Sequence, residues 1–169
     1  SRERRRRMII EQGGVLVLNQ RLTTLARSAQ PPWVSANVSR NNQARSARIT
    51  AFEIEFRPGQ WRDAVTAAEQ EVRRATTHGI LPAELERVIT DQRTALQVQV
   101  AQAATQRTPD IASAIAGYVH LRAVYTNPQQ NLAIFEDAVG GLTAQQATAA
   151  LTQAFAGQGP LLFLSSPTP

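Results

Sequence analysis

The sequence contains no cysteine, no lysine, two histidines and one methionine, and only 5% of it is aromatic. Without cysteine there is no disulfide framework, no thiolate metal site and no cysteine nucleophile, and the compartment stays open on that ground. Without lysine no phosphate-loop lysine can be supplied. The glycine-rich spots Gly13-Gly14, Gly140-Gly141 and Gly157-Gln158-Gly159 also lack the dinucleotide fingerprint, so they read as helix ends and kinks.

Zinc hydrolases of the H-E-x-x-H and inverted H-x-x-E-H types place two histidines on one helical face, within reach of a single metal. Here the only histidines are His78 and His120, far apart and outside any such pattern. His78 suits the last turn of a helix, where its partial charge matches the dipole, and His120 a helix surface. No G-x-S-x-G elbow is present, so a serine hydrolase is not indicated. No apolar run approaches the roughly 20 residues of a membrane span, and Ser1-Arg2-Glu3-Arg4 has no apolar stretch of a signal peptide. If a parent protein is exported, its leader lies outside these residues.

What is present reads as a folded chain. Its 169 residues are 43% hydrophobic and 18% charged, with net charge +5, which is far from the disorder-prone composition. The length suits one domain, expected over residues 1–169. The basic residues are all arginine, densest at Arg4, Arg5, Arg6 and Arg7. Glu53, Glu55, Glu69, Glu71, Glu84 and Glu86 are mixed among the others, so the basic face of a nucleic-acid binder is not indicated.

Val15, Leu18, Leu22 and Leu25 recur at three and four, predicting a helix from Arg4 to about Ala29 that Pro31-Pro32 stops. Gly13 and Gly14 fall in its middle, where each costs up to about 1 kcal/mol against alanine, so either tight packing or a break is expected there. Val34, Ala36 and Val38 alternate with polar residues, as do Phe52, Ile54 and Phe56. These predict an antiparallel hairpin with Glu53 and Glu55 on its wet face and a loop through Asn41 and Asn42.

Trp61 to Gly79 and a segment from Pro82 read as helices. So do those opening at Thr108-Pro109, Asn127-Pro128 and the capping-box pair Thr143 and Gln146. The apolar stripes are Ile111, Ile115 and Val119, then Leu132, Phe135 and Val139. Leu161, Leu162, Phe163 and Leu164 read as a strand buried on both faces. Glu69 with Glu71, and Glu84 with Glu86, lie two apart on different helical faces and read as solvated charges. Trp33 and Trp61 read as packing anchors after chain stops.

Several strings occur in a recognisable order. They are Val15-Leu16-Val17-Leu18-Asn19-Gln20-Arg21-Leu22 with Leu25-Ala26-Arg27, the hairpin, Arg57-Pro58-Gly59-Gln60-Trp61, His78-Gly79-Ile80, Pro82-Ala83-Glu84-Leu85-Glu86-Arg87, Gly141-Leu142-Thr143 and Gly159-Pro160-Leu161-Leu162-Phe163-Leu164. Across the whole chain this set resembles the second, non-catalytic domain of pitrilysin/insulinase zinc metallopeptidases, closest to bacterial members of the sphingomonad type.

The resemblance implies an α+β fold, an antiparallel sheet covered by helices as in mitochondrial processing peptidase subunits. It implies a parent that hydrolyses peptide bonds with zinc held in a separate catalytic domain, and no cofactor in this chain. The implied partners are that catalytic domain, the second half of the parent and peptide substrates, with neither nucleic acid nor a membrane-spanning segment. A periplasmic location is expected for a bacterial exported member. Arg27 occupies the place of an arginine that the family uses to hold substrate, whereas Trp33 stands where a tyrosine is expected and has no phenolic hydroxyl. Catalytic and metal-binding residues are therefore none, and Arg27 is the one substrate-binding candidate. The alternatives are a zinc-free structural homologue and a helical protein-binding module, the latter distinguished by absence of the hairpin.

Overall fold

The computed structural model describes residues 2–43, 47–120, 124–157 and 160–165. In chain order the elements are α1 (Arg2–Ala26), β1 (Ser35–Gln43), β2 (Ala47–Glu55), α2 (Trp61–Thr77), α3 (Pro82–Gln102), a 3-10 turn (Ala103–Thr105), α4 (Thr108–His120), α5 (Pro128–Val139) and α6 (Ala144–Phe155). This is an α+β chain whose sheet is an antiparallel pair, in agreement with the expected class. It divides into two compact units, one of Ile10–Val88 with Leu142–Pro169, the other of Ser1–Ile9 with Ile89–Gly141.

The first unit is organised around α1. Val17, Leu18 and Leu22 are fully buried on the helix, as the three-four spacing requires. The helix runs unbroken through Gly13 and Gly14, because α6 packs against it there. A Cβ on Gly14 would lie 2.9 Å from Ala147 O and 3.1 Å from Leu151 Cβ. The hairpin joins the same helix through Asn19, whose Nδ2 donates to Val38 O at 2.9 Å and whose Oδ1 accepts from Val38 N at 2.7 Å. Thr50 Oγ1 donates to Ala154 O at 2.7 Å, tying β2 to α6.

In register, Val38 pairs with Phe52 and Ala36 with Ile54. Val38 is buried, Ala36, Phe52, Ile54 and Phe56 are half-buried, and Glu53 and Glu55 are exposed, as predicted, but Val34, expected on the dry face, precedes β1 and is exposed. The strands reach further than expected. Asn41 and Asn42 pair with Ile49 and Arg48 rather than forming the loop. Arg40 and Arg48 at the extended end both approach Glu11 of α1, a long-range ion cluster that local turn preferences do not register.

Helix ends follow the local rules. Gly79, at φ 82°, closes α2 one residue beyond its C-cap His78. Asn127 with Gln130 and Thr143 with Gln146 form reciprocal capping boxes at α5 and α6. Ile80 N, just past Gly79, donates to Thr148 Oγ1 of α6 at 2.9 Å.

In the second unit Leu96 of α3 and Phe135 and Ala138 of α5 are buried. Arg93 and Glu136 form a bidentate pair, at 2.6 and 3.0 Å, that joins these two helices. The stripe expected on α4 is not a core stripe. Ile111 is half-buried, and Ile115 and Val119 are exposed. Helical spacing says which residues share a face, not whether anything covers it.

The terminal apolar run also departs from expectation. Residues 160–165 form no strand and make no ladder, and Leu162 and Leu164 are exposed. A strand needs a neighbouring backbone as well as apolar side chains, and among the described residues this run has none.

Candidate functional site

The turn after α1 carries both residues singled out by the resemblance. Arg27 N donates to Thr24 O at 3.2 Å and Ser28 N to Leu25 O at 3.1 Å, winding the chain off the helix. Arg27 projects from this turn as an exposed charge. Trp33 is its opposite, only 1% exposed, with its indole Nε1 donating to Leu22 O at 3.3 Å. The indole thus satisfies an α1 carbonyl while filling the core beneath the turn. Trp61 is half-buried at the start of α2, with the Arg62 guanidinium 4.7 Å from its ring centroid.

One turn and a half before Arg27, Arg21 binds three separate pieces of chain. Its Nε and Nη2 donate to Glu84 Oε1 and Oε2 at 2.8 and 2.6 Å, its Nη2 donates to Gly79 O at 2.9 Å, and Nη1 lies 3.7 Å from Glu71 Oε1. Glu84 Oε2 also accepts from Leu81 N at 2.9 Å. The bidentate bond from Arg21 holds the Glu84 carboxyl below its ordinary range against the opposing effect of burial, and Glu84 in turn raises the Arg21 guanidinium. In the other unit the Arg93 pair likewise lowers Glu136.

Two glutamates expected to be solvated are therefore engaged. Glu71 is buried, between Arg21 and Arg74 at 3.7 Å from each, while Glu69 is exposed on another face as the two-residue spacing demands. Glu84 is half-buried, and Glu86 is exposed. Glu11 is, with Glu71, a buried carboxylate, 3.2 Å from Arg40 Nε and 3.4 Å from Arg48 Nη1. The contact with Arg40 has charge proximity without hydrogen-bond alignment, leaving that buried Nε without an acceptor. Apart from Arg74, three residues from Glu71, these partners escape a sequence reading because each lies tens of residues away. The visible hint was the place of Glu84 in the first turn of a helix opened by Pro82.

This chemistry is that of a joint. Arginines and carboxylates neutralise one another. His78 caps α2 and is exposed, and His120 is the exposed last residue of α4. Among the described residues no group of histidine, aspartate and glutamate is arranged to hold a metal, so these side chains do not fit a zinc ion. Among the described residues no helix is long and apolar enough to cross a membrane.

No protein-family model matches the chain. The solved structures are more informative. The periplasmic protease PqqL from Escherichia coli superposes with a TM-score of 0.78 over 87% of this chain and 16% of its own, at 20% identity. A predicted insulinase family protease from Yersinia pestis does so with a TM-score of 0.71 over 88% of this chain and 32% of its own, at 15% identity. The fold is that of an insulinase-type protease domain. Agreeing with it, 71 residues, 41% of this chain, are 32% identical to the chloroplastic stromal processing peptidase of Arabidopsis thaliana. The chain spans 6% of that protein, and so corresponds to a small part of the proteins it resembles.

Proposed function

We propose that this chain is a non-catalytic domain of a pitrilysin/insulinase-type zinc endopeptidase, serving as part of the wall that encloses peptide substrate. The observation that carries the reading is the insulinase-type fold over 87% of the chain, coupled to a sequence whose two histidines cannot form the inverted zinc motif. Cleavage then belongs to another domain of the parent, where a metal-activated water would attack the peptide bond. This domain's own contribution is shape and charge. The Arg21 joint holds the end of α1 against α2 and α3, Trp33 fixes the turn that follows, and Arg27 is displayed from that turn as a cation for a carboxylate of the substrate. The hairpin at 35–55 argues against a purely helical binding module.

The test is metal analysis and peptide hydrolysis by the purified chain beside its full-length parent. The parent is expected to hold zinc and cut peptides, and the chain to do neither. One tightly held zinc per chain, lost on His78→Ala or His120→Ala, would overturn the reading.

A further inference from the structure

Positive charge is unevenly placed in this chain. Its net charge is +5, and removing Arg4, Arg5, Arg6 and Arg7 alone would bring it close to neutrality. All four lie in the first two turns of α1 and all are exposed. Among the described residues none of the four meets a carboxylate, whereas Arg21, Arg40, Arg48, Arg73, Arg74, Arg93 and Arg107 all do.

Like charges three residues apart on a helix face repel one another, as Arg4 and Arg7 do. An anionic partner would relieve that repulsion.

The geometry selects among anionic partners. Successive helical residues turn by about 100°, so four consecutive arginines point around most of the helix rather than along one stripe. A rigid duplex or a membrane plane can meet only one side, whereas a flexible chain can wrap the turn and reach all four. Single-stranded nucleic acid is flexible too, but its usual platform includes aromatic rings for stacking, and residues 2–10 contain none. We infer that the first two turns of α1 dock an acidic, flexible polypeptide segment, with guanidinium–carboxylate pairs around the helix.

The experiment uses the full chain and fluorescence anisotropy with three labelled probes of about twelve units, a glutamate-rich peptide, its glutamine counterpart and oligothymidine, at about 50 and 200 mM salt. The glutamate peptide is expected to bind more tightly than the other two and to weaken with salt. Replacing Arg4, Arg5, Arg6 and Arg7 together by glutamine should weaken it by about tenfold or more, with the circular dichroism spectrum preserved and the thermal midpoint not lowered. The same fourfold replacement at the exposed Arg57, Arg62, Arg73 and Arg87 is the matched-charge control and should weaken it far less. Equal losses in both sets, no loss in the first, or tighter binding of oligothymidine than of the glutamate peptide would each overturn the inference.

Discussion

Gly14 of α1 lies against Leu151 of α6 so closely that an added Cβ would stand 3.1 Å from the leucine Cβ. One residue earlier, a Cβ on Gly13 would meet nothing within 4 Å. Alanine should therefore act oppositely at neighbouring positions. Gly13→Ala should stabilise the chain by up to about 1 kcal/mol through helix propensity. Gly14→Ala should destabilise it by about 1–3 kcal/mol, because the backbone carbonyl of Ala147 cannot yield as a flexible side chain would. Urea midpoints for the two variants check this, and equal shifts of one sign would contradict the α1–α6 packing.

The Arg21–Glu84 bond predicts an acid dependence of stability. A carboxyl whose folded pKa is lowered contributes stability above its unfolded value of about 4.3, and that contribution is lost as pH falls through the lower folded value. Arg21, being raised, loses its contribution only at pH beyond ordinary use. Arg21→Ala should cost about 1.5–3 kcal/mol at neutral pH and flatten the decline between about pH 5 and 3. Denaturant titrations at a series of pH values, on both proteins, measure it.

The two residues of the turn after α1 should separate. Trp33→Ala should destabilise by about 3–5 kcal/mol, and Trp33→Phe by less, since it keeps one aromatic ring and loses the rest of the indole together with the bond to Leu22 O. Arg27→Ala should change stability by no more than about 0.5 kcal/mol. In the full-length parent it should still slow turnover of acidic peptides more than basic ones. Turnover unchanged for both peptide classes would make Arg27 an ordinary surface charge.

The terminal apolar run should contribute little to this chain. Leu162→Ser and Phe163→Ser together should shift the thermal midpoint by a degree or two at most, since both side chains are exposed. A loss comparable to that of Trp33→Ala would mean that the run is covered in solution.

Helix boundaries were legible wherever a local chemical rule decides them. Asn127 with Gln130, Thr143 with Gln146, and Gly79 act through bonds spanning only a few residues. The hairpin faces were legible for the same reason, because the alternation around Val38 and Phe52 carries them. What escaped depends on distant partners. Nothing near Glu71 announces Arg21, fifty residues earlier, and nothing near Glu11 announces Arg40 and Arg48. The Arg27 candidate came from resemblance, and its own surroundings identify only an exposed cation. The stripe on α4 and the run at 161–164 failed in the opposite direction, since apolarity marks residues that favour cover without saying what supplies it.

The paired bonds between Asn19 and Val38 have a consequence for association. The carboxamide offers Val38 one donor and one acceptor, as the backbone of an adjacent strand would, and so consumes both of its main-chain groups. At this point β1 is closed to edge-to-edge pairing with another molecule, a route by which exposed strands nucleate aggregation. Asn19→Leu would reopen it, turning a side chain that fastens a helix to a hairpin into a missing guard against self-assembly.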